Sequence, residues 1–221
     1  MFDTDRNQEQ LLDNNQSHNV IGLRKNSTNF TNVTTGPSIN GGLETTTDTY
    51  VDFGTFTFGP PFTIEVYGKI TDNPLHGASF INLYEDGTAL NTANNTRSHI
   101  AIDLCGNPTV IKFMTHDATG DYSNYPQFTP SDDTADYHIV VTYSGISKTM
   151  YVDGLFVNTV TATGLSSLTR RIIIGRNPWN DESTENIKYF KIWDVAVTTA
   201  QVKTMYSTKN ASFSSVGAYS V

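Results

Sequence analysis

The feature that most constrains the fold is a series of closely spaced β-strand signals separated by turn residues. Residues 137–159, YHIVVTYSGISKTMYVDGLFVNT, form the clearest example. Two breaks, at residues 144–147 and at Asp153-Gly154, divide this stretch into three short strands. Similar segments recur about every 8–12 residues, without long helical patterns between them, which predicts an antiparallel β-sandwich.

Alternation within the strands predicts which side chains face the core. In residues 62–70, FTIEVYGKI, apolar and polar side chains alternate, so we expect a strand that is buried on one face only. In residues 137–143, the inward set is Ile139, Val141 and Tyr143, or the complementary set if the register is reversed.

Composition supports a single β-rich domain and excludes several partners. The 221 residues include 32 threonines, which favour strands, and 20 asparagines, which favour turns. The net charge of -8, without any run of Lys or Arg, argues against nucleic-acid binding. No apolar stretch is long enough for membrane insertion, and the N-terminal residues lack the apolar segment of a signal peptide.

The chain divides into three parts by composition. Residues 1–18 form a polar N-terminal arm, residues 19–208 form the β-rich domain, and residues 209–221 form a C-terminal tail. Near the end of the domain, Thr198 or Thr199 is placed to cap one short helix over AQVKTMY.

Three segments together resemble a known family. They are YHIVVTYSGISKTMYVDGLFV, RIIIGR and NIKYFKIWDVAVTTAQVKTMY. In order and spacing they resemble the LamG-like jelly roll of the concanavalin A-like lectin/glucanase superfamily, over roughly residues 40–207. The resemblance implies an all-β, antiparallel two-sheet β-sandwich of jelly-roll type with one short C-terminal helix. It does not imply one ligand, because this fold serves many functions.

The metal status is left open by the sequence. Many relatives place an acidic calcium ligand shortly after the isoleucine that opens the last long strand. Here Ile187 is followed by Lys188 and Tyr189, so a cation replaces a ligand. This substitution argues against calcium at the family position, and no cofactor or metal ligand is assigned.

The sequence contains no recognisable catalytic motif. Glucanases of the superfamily carry E-x-D-x-x-E on one strand, which places alternate acids in one cleft, and this chain has no such pattern. Glu182 and Glu185 are three positions apart, and His116-Asp117 opens a long loop. His138 matches a histidine of the family pattern and is interpreted as structural. We predict that the chain is not an enzyme, with a glycoside hydrolase as a lesser alternative.

Two polar loops carry aromatic and amide side chains suited to sugars. Aromatic rings pack on the apolar side of a sugar, and Asn or Asp oriented by a loop bind its hydroxyls. Trp179 could instead pack against its own loop, and Trp193 is expected to be a packing residue. The predicted ligand-binding residues are Tyr122, Asn124, Tyr125, Trp179, Asn180 and Asp181.

The leading functional prediction is a non-catalytic, lectin-like module that binds a glycan or glycoprotein on a surface, attachment or cell-adhesion protein. The alternative is a structural capsid or appendage protein of a large virus or phage, in which the jelly roll and the arm at residues 1–18 contact other subunits. The corresponding location is the virion surface or the extracellular space.

Overall fold

A computed structural model defines the fold. The structure describes residues 20–22, 43–45, 51–72, 78–85, 99–105, 110–116, 124–132, 135–162, 165, 167–174 and 184–216. The polar arm at residues 1–18 lies outside the described residues.

The described part of the chain forms thirteen strands and one helix. The strands are β1 Val20–Gly22, β2 Leu43–Thr45, β3 Val51–Phe58, β4 Phe62–Asp72, β5 Ala78–Glu85, β6 His99–Cys105, β7 Val110–His116, β8 Gln127–Phe128, β9 Tyr137–Tyr143, β10 Ser147–Val152, β11 Leu155–Thr161, β12 Leu168–Ile174 and β13 Thr184–Trp193. The helix α1 spans Thr199–Val216.

The strands form two antiparallel sheets that pack face to face. Sheet 1 has the order β1-β13-β4-β9-β10-β11, and β2 also pairs with β13. Sheet 2 has the order β3-β12-β5-β6-β7-β8. The all-β, two-sheet sandwich predicted from the sequence is therefore confirmed.

The core lies between the sheets and uses alternate residues of each strand. The predicted inward residues Ile139, Val141 and Tyr143 all belong to the main buried cluster. Phe62 stacks on Tyr143, with ring centroids 5.5 Å apart, and meets Phe113 of sheet 2 edge to face at 6.4 Å. These aromatic contacts join the two sheets directly.

The outer face of sheet 1 is also buried along β4, which corrects the prediction for that strand. Thr63 and Glu65, expected to face solvent, are only 0% and 1% exposed. The segment leading into α1 covers them: Thr63 Oγ1 donates to Val195 O at 2.6 Å and accepts from Val197 N at 3.1 Å. Periodicity cannot reveal a cover that arrives from a distant part of the chain.

The helix is longer than predicted. Thr198 Oγ1 and Gln201 form a capping box, with Thr198 N donating to Gln201 Oε1 at 2.7 Å, so Thr198 is the cap. The helix continues to Val216, so residues 209–216, assigned to the tail from the sequence, are helical.

The helix packs on sheet 1 through a small apolar cluster of its own. Val202 and Met205 of α1 meet Val140 and Trp193 there. Trp193 is 1% exposed, as expected of a packing residue, while Phe190 and Ile192 face the main core. Within the described residues, α1 is not apolar enough to span a membrane.

Candidate functional site

Only two of the six predicted ligand-binding residues fall in the described part of the chain. Tyr122 and residues 179–181, which are Trp, Asn and Asp, lie outside it. Asn124 is exposed and Tyr125 is partly buried, and only Pro126 separates them from β8 at the edge of sheet 2. The predicted pair therefore lies at one end of the sheet, beside β7.

A lysine on the neighbouring strand β7 contacts the ring of Tyr125. Lys112 Nζ lies 5.0 Å from the centre of the Tyr125 ring, a cation–π distance. The β7–β8 register places Lys112 opposite Gln127, which is exposed. Phe113 N donates to Pro126 O at 3.1 Å, which fixes the backbone just after Tyr125.

A buried carboxylate lies beside this pair. The β6–β7 register places Asp103 opposite Lys112, and Ser79 Oγ donates to Asp103 Oδ1 at 2.5 Å. Burial raises the pKa of Asp103 to about 7, although the Ser79 hydrogen bond and the Lys112 charge act in the opposite direction. Asp103 can therefore change charge near neutral pH.

The outer face of sheet 2 changes from buried to open across its strands. On β5 and β6, Ser79 and Asn82 are 0% exposed, and Asp103 is 4% exposed. On β7 and β8, Lys112 is partly buried and Gln127 is exposed. A ligand can therefore reach this face at its β7–β8 end, which we call the open end: Lys112, Asn124, Tyr125 and Gln127.

The sequence analysis missed Ser79, Asp103, Lys112 and Gln127. Asp103 and Lys112 are polar residues within two apolar runs, HIAIDLC and TVIKFM, separated by a GNP turn. That arrangement predicts a hairpin, and a hairpin register brings the two side chains together. The hairpin pattern was therefore a usable signal, whereas Ser79 enters only through the β5–β6 pairing.

A second polar constellation resembles catalytic chemistry but is closed to solvent. On the outer face of sheet 1, Glu65 Oε1 lies 2.7 Å from His138 Nε2 and accepts a 2.7 Å hydrogen bond from Tyr189 OH. These three side chains are 0–1% exposed. The ring of Tyr206 on α1 lies 5.7 Å from the His138 ring. A substrate would have to displace the helix, so the network is placed to stabilise the fold.

The pKa of a nearby tyrosine, Tyr67, is also shifted on this face of sheet 1. Burial, and then the negative charges of Asp136 and Asp153, raise the pKa of Tyr67 above its ordinary value. The ring of Tyr67 contacts the rings of His138 and Tyr189. The network is therefore extended by aromatic packing.

The described residues contain no cluster of three His, Cys, Asp or Glu side chains suited to a metal ion. Lys188 stands at an irregularity in the β13–β4 pairing, between Ile187 and Tyr189, where many relatives have an acidic ligand. A cation at that position repels calcium.

Sequence comparison shows the family. Residues 45–203 match the model of the concanavalin A-like lectin/glucanases superfamily, and the chain belongs to that superfamily. The match confirms the resemblance derived from the three segments. No curated protein sequence is significantly similar to the chain.

Solved structures share the fold at low sequence identity. Trypanosoma rangeli sialidase matches with a TM-score of 0.57 and 13% identity, over 86% of this chain and 30% of the sialidase. Domain 4 of an extracellular arabinanase from Geobacillus stearothermophilus, in complex with arabinotriose, matches with a TM-score of 0.54 and 14% identity. The match covers 86% of this chain and 88% of the arabinanase domain. The binding domain of Paraclostridial Mosquitocidal Protein 1 matches with a TM-score of 0.55 and 15% identity. The match covers 80% of this chain and 47% of that binding domain.

These similarities concern the fold alone. This chain spans less than a third of the sialidase length, whereas it spans most of the arabinanase domain. The fold therefore occurs both within enzymes and in binding domains.

Proposed function

We propose that the chain is a non-catalytic glycan-binding module and that its binding site includes the open end of sheet 2. The observation that carries the proposal is the ring of Tyr125, held by Lys112 at 5.0 Å and flanked by exposed amide side chains. A partly buried ring fixed by a neighbouring cation loses little freedom when a ligand packs on it.

The chemistry of the open end suits a sugar. The remaining surface of the Tyr125 ring can pack against the apolar C–H side of a pyranose or furanose. Asn124 and Gln127 can accept from and donate to hydroxyl groups, and Lys112 can donate to a hydroxyl or an acidic substituent. Only part of the ligand would be enclosed, because Asn124 and Gln127 lie at the exposed surface.

The comparisons support a glycan at a coarse level. The arabinanase domain was solved with arabinotriose, and a sialidase with the same fold was solved with sialic acid. In this chain the buried Glu65–His138 pair is not accessible, and the carboxylate beside the open end, Asp103, is only 4% exposed. Glycoside hydrolysis normally requires two carboxylates across one bond, so these residues favour binding over hydrolysis.

The remaining sequence-predicted residues belong to the same proposal. Tyr122 is three residues before Tyr125 in the chain and would extend the site. Residues 179–181, Trp-Asn-Asp, would form a separate contact. Tyr122→Ala and Trp179→Ala, assayed in the glycan-binding experiment below, test these two positions, and each should weaken binding if it contributes to the site.

The experiment is a glycan-array screen of the full chain, with calcium and again with a chelator. We expect binding to at least one glycan class under both conditions. For the best glycan, Tyr125→Ala should lower the affinity about tenfold or more, whereas Tyr125→Phe should retain binding because the ring remains. Failure to bind any glycan under either condition would overturn the proposal.

A matched lysine pair controls for charge. Lys112→Ala should weaken binding, whereas Lys203→Ala, an exposed position on α1, should not. Equal losses in both variants would mean that net charge, rather than the open end, attracts the ligand. Loss of binding in chelator would show that calcium contributes despite Lys188.

The second candidate function is assembly, as in a capsid or appendage subunit. The observation that favours it is the uncharged edge strand β11, whose outer side pairs with no strand in the described part of the chain. In both functions we propose a location at a virion or extracellular surface. A stable oligomer that is lost when residues 1–18 are deleted would favour assembly through the arm.

A further inference from the structure

Helix α1 covers only part of the outer face of sheet 1. The apolar residues of the helix pack against Trp193 of β13 and Val140 of β9. Farther across the sheet, Phe156 of β11 is 57% exposed, and Thr149 of β10 is only partly buried. The outer face of β10 and β11 therefore remains open to solvent beside the helix.

The exposed ring of Phe156 is supported from below by a buried tyrosine. Phe156 pairs with Tyr151, and the two rings meet edge to face with centroids 5.9 Å apart and an interplanar angle of 71°. Tyr151 belongs to the apolar cluster beneath α1, and its hydroxyl oxygen lies 3.1 Å from Thr199 Oγ1 at the start of the helix. A ring supported in this way loses little freedom when a ligand packs on its open side.

Hydroxyl side chains continue the same face beyond the ring. Thr149 lies two positions before Tyr151 on β10 and therefore shares its face. The strand register places Thr159 opposite Thr149, and their hydroxyl oxygens lie 2.8 Å apart. We call this surface the hydroxyl strip, whose members follow one another in the β10–β11 register: Phe156, Thr149, Thr159, Ser147 and Thr161.

The hydroxyl strip carries no charge, although the molecule is acidic. Residues 142–147 and 154–169 contain no Asp, Glu, Lys or Arg, whereas the whole chain has a net charge of -8. A carboxylate or sulfate placed on the strip would lose water without gaining a cation there, which is costly. Hydroxyl groups donate and accept without charge, as sugar hydroxyls do, and an apolar partner would leave them unsatisfied. The strip is therefore suited to a neutral, hydroxyl-rich ligand.

We propose that the hydroxyl strip is a second glycan-binding site, which takes a linear neutral oligosaccharide lying along β11. One sugar packs its C–H face on Phe156, and the next units hydrogen-bond to Thr149 and Thr159. Four residues of β10, at a rise of about 3.3 Å each, give the strip a length of about 13 Å, enough for more than one sugar unit. The proposal rests on the glycan-binding function proposed above but not on the open end, because the two sites lie on different sheets.

The test is a calorimetric titration of the full chain carrying Tyr125→Ala, which removes the ring of the open end. The ligands are cellotetraose, xylotetraose and arabinotetraose. We expect at least one of them to bind, whereas the acidic tetragalacturonate should bind about tenfold more weakly or not at all. Adding Phe156→Ala should lower the affinity for the neutral ligand about tenfold or more, and Phe156→Tyr should retain it because the ring remains.

Leu155→Ala is the matched control for the ring. Leu155 is 68% exposed and adjacent to Phe156, but it pairs with Val152 of the main core, so it lies on the other side of β11. This variant should bind like its parent. Equal losses in Leu155→Ala and Phe156→Ala would contradict the proposal, and thermal denaturation checks that both variants are folded.

A second pair of variants tests the hydroxyl groups. Thr159→Val keeps the shape of an exposed side chain and removes its hydroxyl, so the affinity should fall about threefold or more. Thr204→Val, at an exposed position on α1, should not change it.

The outcomes separate this proposal from that of the open end. Affinity that falls with Tyr125→Ala but not with Phe156→Ala would refute the hydroxyl strip and support the open end. The reverse result would support the strip and refute the open end. If none of the three neutral ligands binds, the strip is not a neutral-glycan site. A concentration-dependent oligomer that Phe156→Ala abolishes, without glycan binding, would identify the strip as a protein contact instead.

Discussion

The outer faces of the two sheets contain similar side chains in different surroundings. Each has a buried carboxylate that accepts from a hydroxyl: Glu65 from Tyr189 on sheet 1, and Asp103 from Ser79 on sheet 2. On sheet 1 the chain's own helix closes over the carboxylate, whereas sheet 2 opens to solvent at β7 and β8. The difference shows that accessibility, more than residue type, separates a structural network from a candidate binding site.

The largest effect should come from removing the carboxylate on the closed face. Glu65→Ala removes the partner of His138 and Tyr189 and leaves their buried polar atoms unsatisfied, so we expect the free energy of unfolding to fall by about 3–5 kcal/mol. Urea denaturation measures this change. Asp136→Ala, at an exposed carboxylate, should change it by less than about 0.5 kcal/mol. A stable Glu65 variant that has lost glycan binding would reverse our assignment of the two faces.

The buried carboxylate of sheet 2, Asp103, should make stability depend on pH. Its pKa is about 7 in the folded chain against an ordinary value of 3.8, so the folded state binds the proton more tightly. This contribution is fully present below about pH 4 and is lost as the pH rises through about 7, an effect of up to about 4 kcal/mol. Asp103→Asn should flatten the profile of unfolding free energy against pH. An unchanged profile in that variant would assign the dependence to other groups.

A smaller effect should follow from loosening the cover of the closed face. Thr198→Ala removes the helix cap and should lower the free energy of unfolding by about 1 kcal/mol. Near-ultraviolet circular dichroism of Trp193, which packs with the residues of α1, reports whether the helix remains docked. Glycan affinity at the open end should not change, because the helix covers the opposite sheet. A loss of glycan affinity in the Thr198→Ala variant would show that the helix on sheet 1 and the binding site on sheet 2 are coupled.

The smallest effect on stability should come from the open end itself. Tyr125→Ala removes a partly buried ring that lies outside the main core, so the free energy of unfolding should change by less than about 1 kcal/mol. Thermal denaturation beside the binding assay separates the two roles. A large loss of stability would mean that Tyr125 is a packing residue, and the proposed site would need to be placed elsewhere.

The sequence predicted the sandwich because its pattern is local. Alternation identified Ile139, Val141 and Tyr143 as core residues, and Asp153-Gly154 predicted a hairpin turn that the structure confirms with positive φ angles of 50° and 76°. Alternation could not predict that Thr63 and Glu65 are buried. Their cover comes from Val195, Val197 and α1, more than 130 positions later in the chain than Thr63.

The candidate site was predicted only in part, for a related reason. Asn124 and Tyr125 stand out in the sequence as an amide and an aromatic residue in a polar loop. Asp103 and Lys112 are single polar residues within apolar runs, and their meaning depends on the register of two strands. Residue type alone therefore identified the loop residues, while the hairpin residues required pairing to be known.

The short strand β8 connects the candidate binding site to both sheets. It belongs to sheet 2 and begins two residues after Tyr125, yet it also contacts β11 at the edge of sheet 1. A ligand that packs on Tyr125 would therefore bind a part of the backbone that both sheets hold in place. Little binding free energy would be lost to ordering of the protein, and the affinity would depend on the integrity of both sheets.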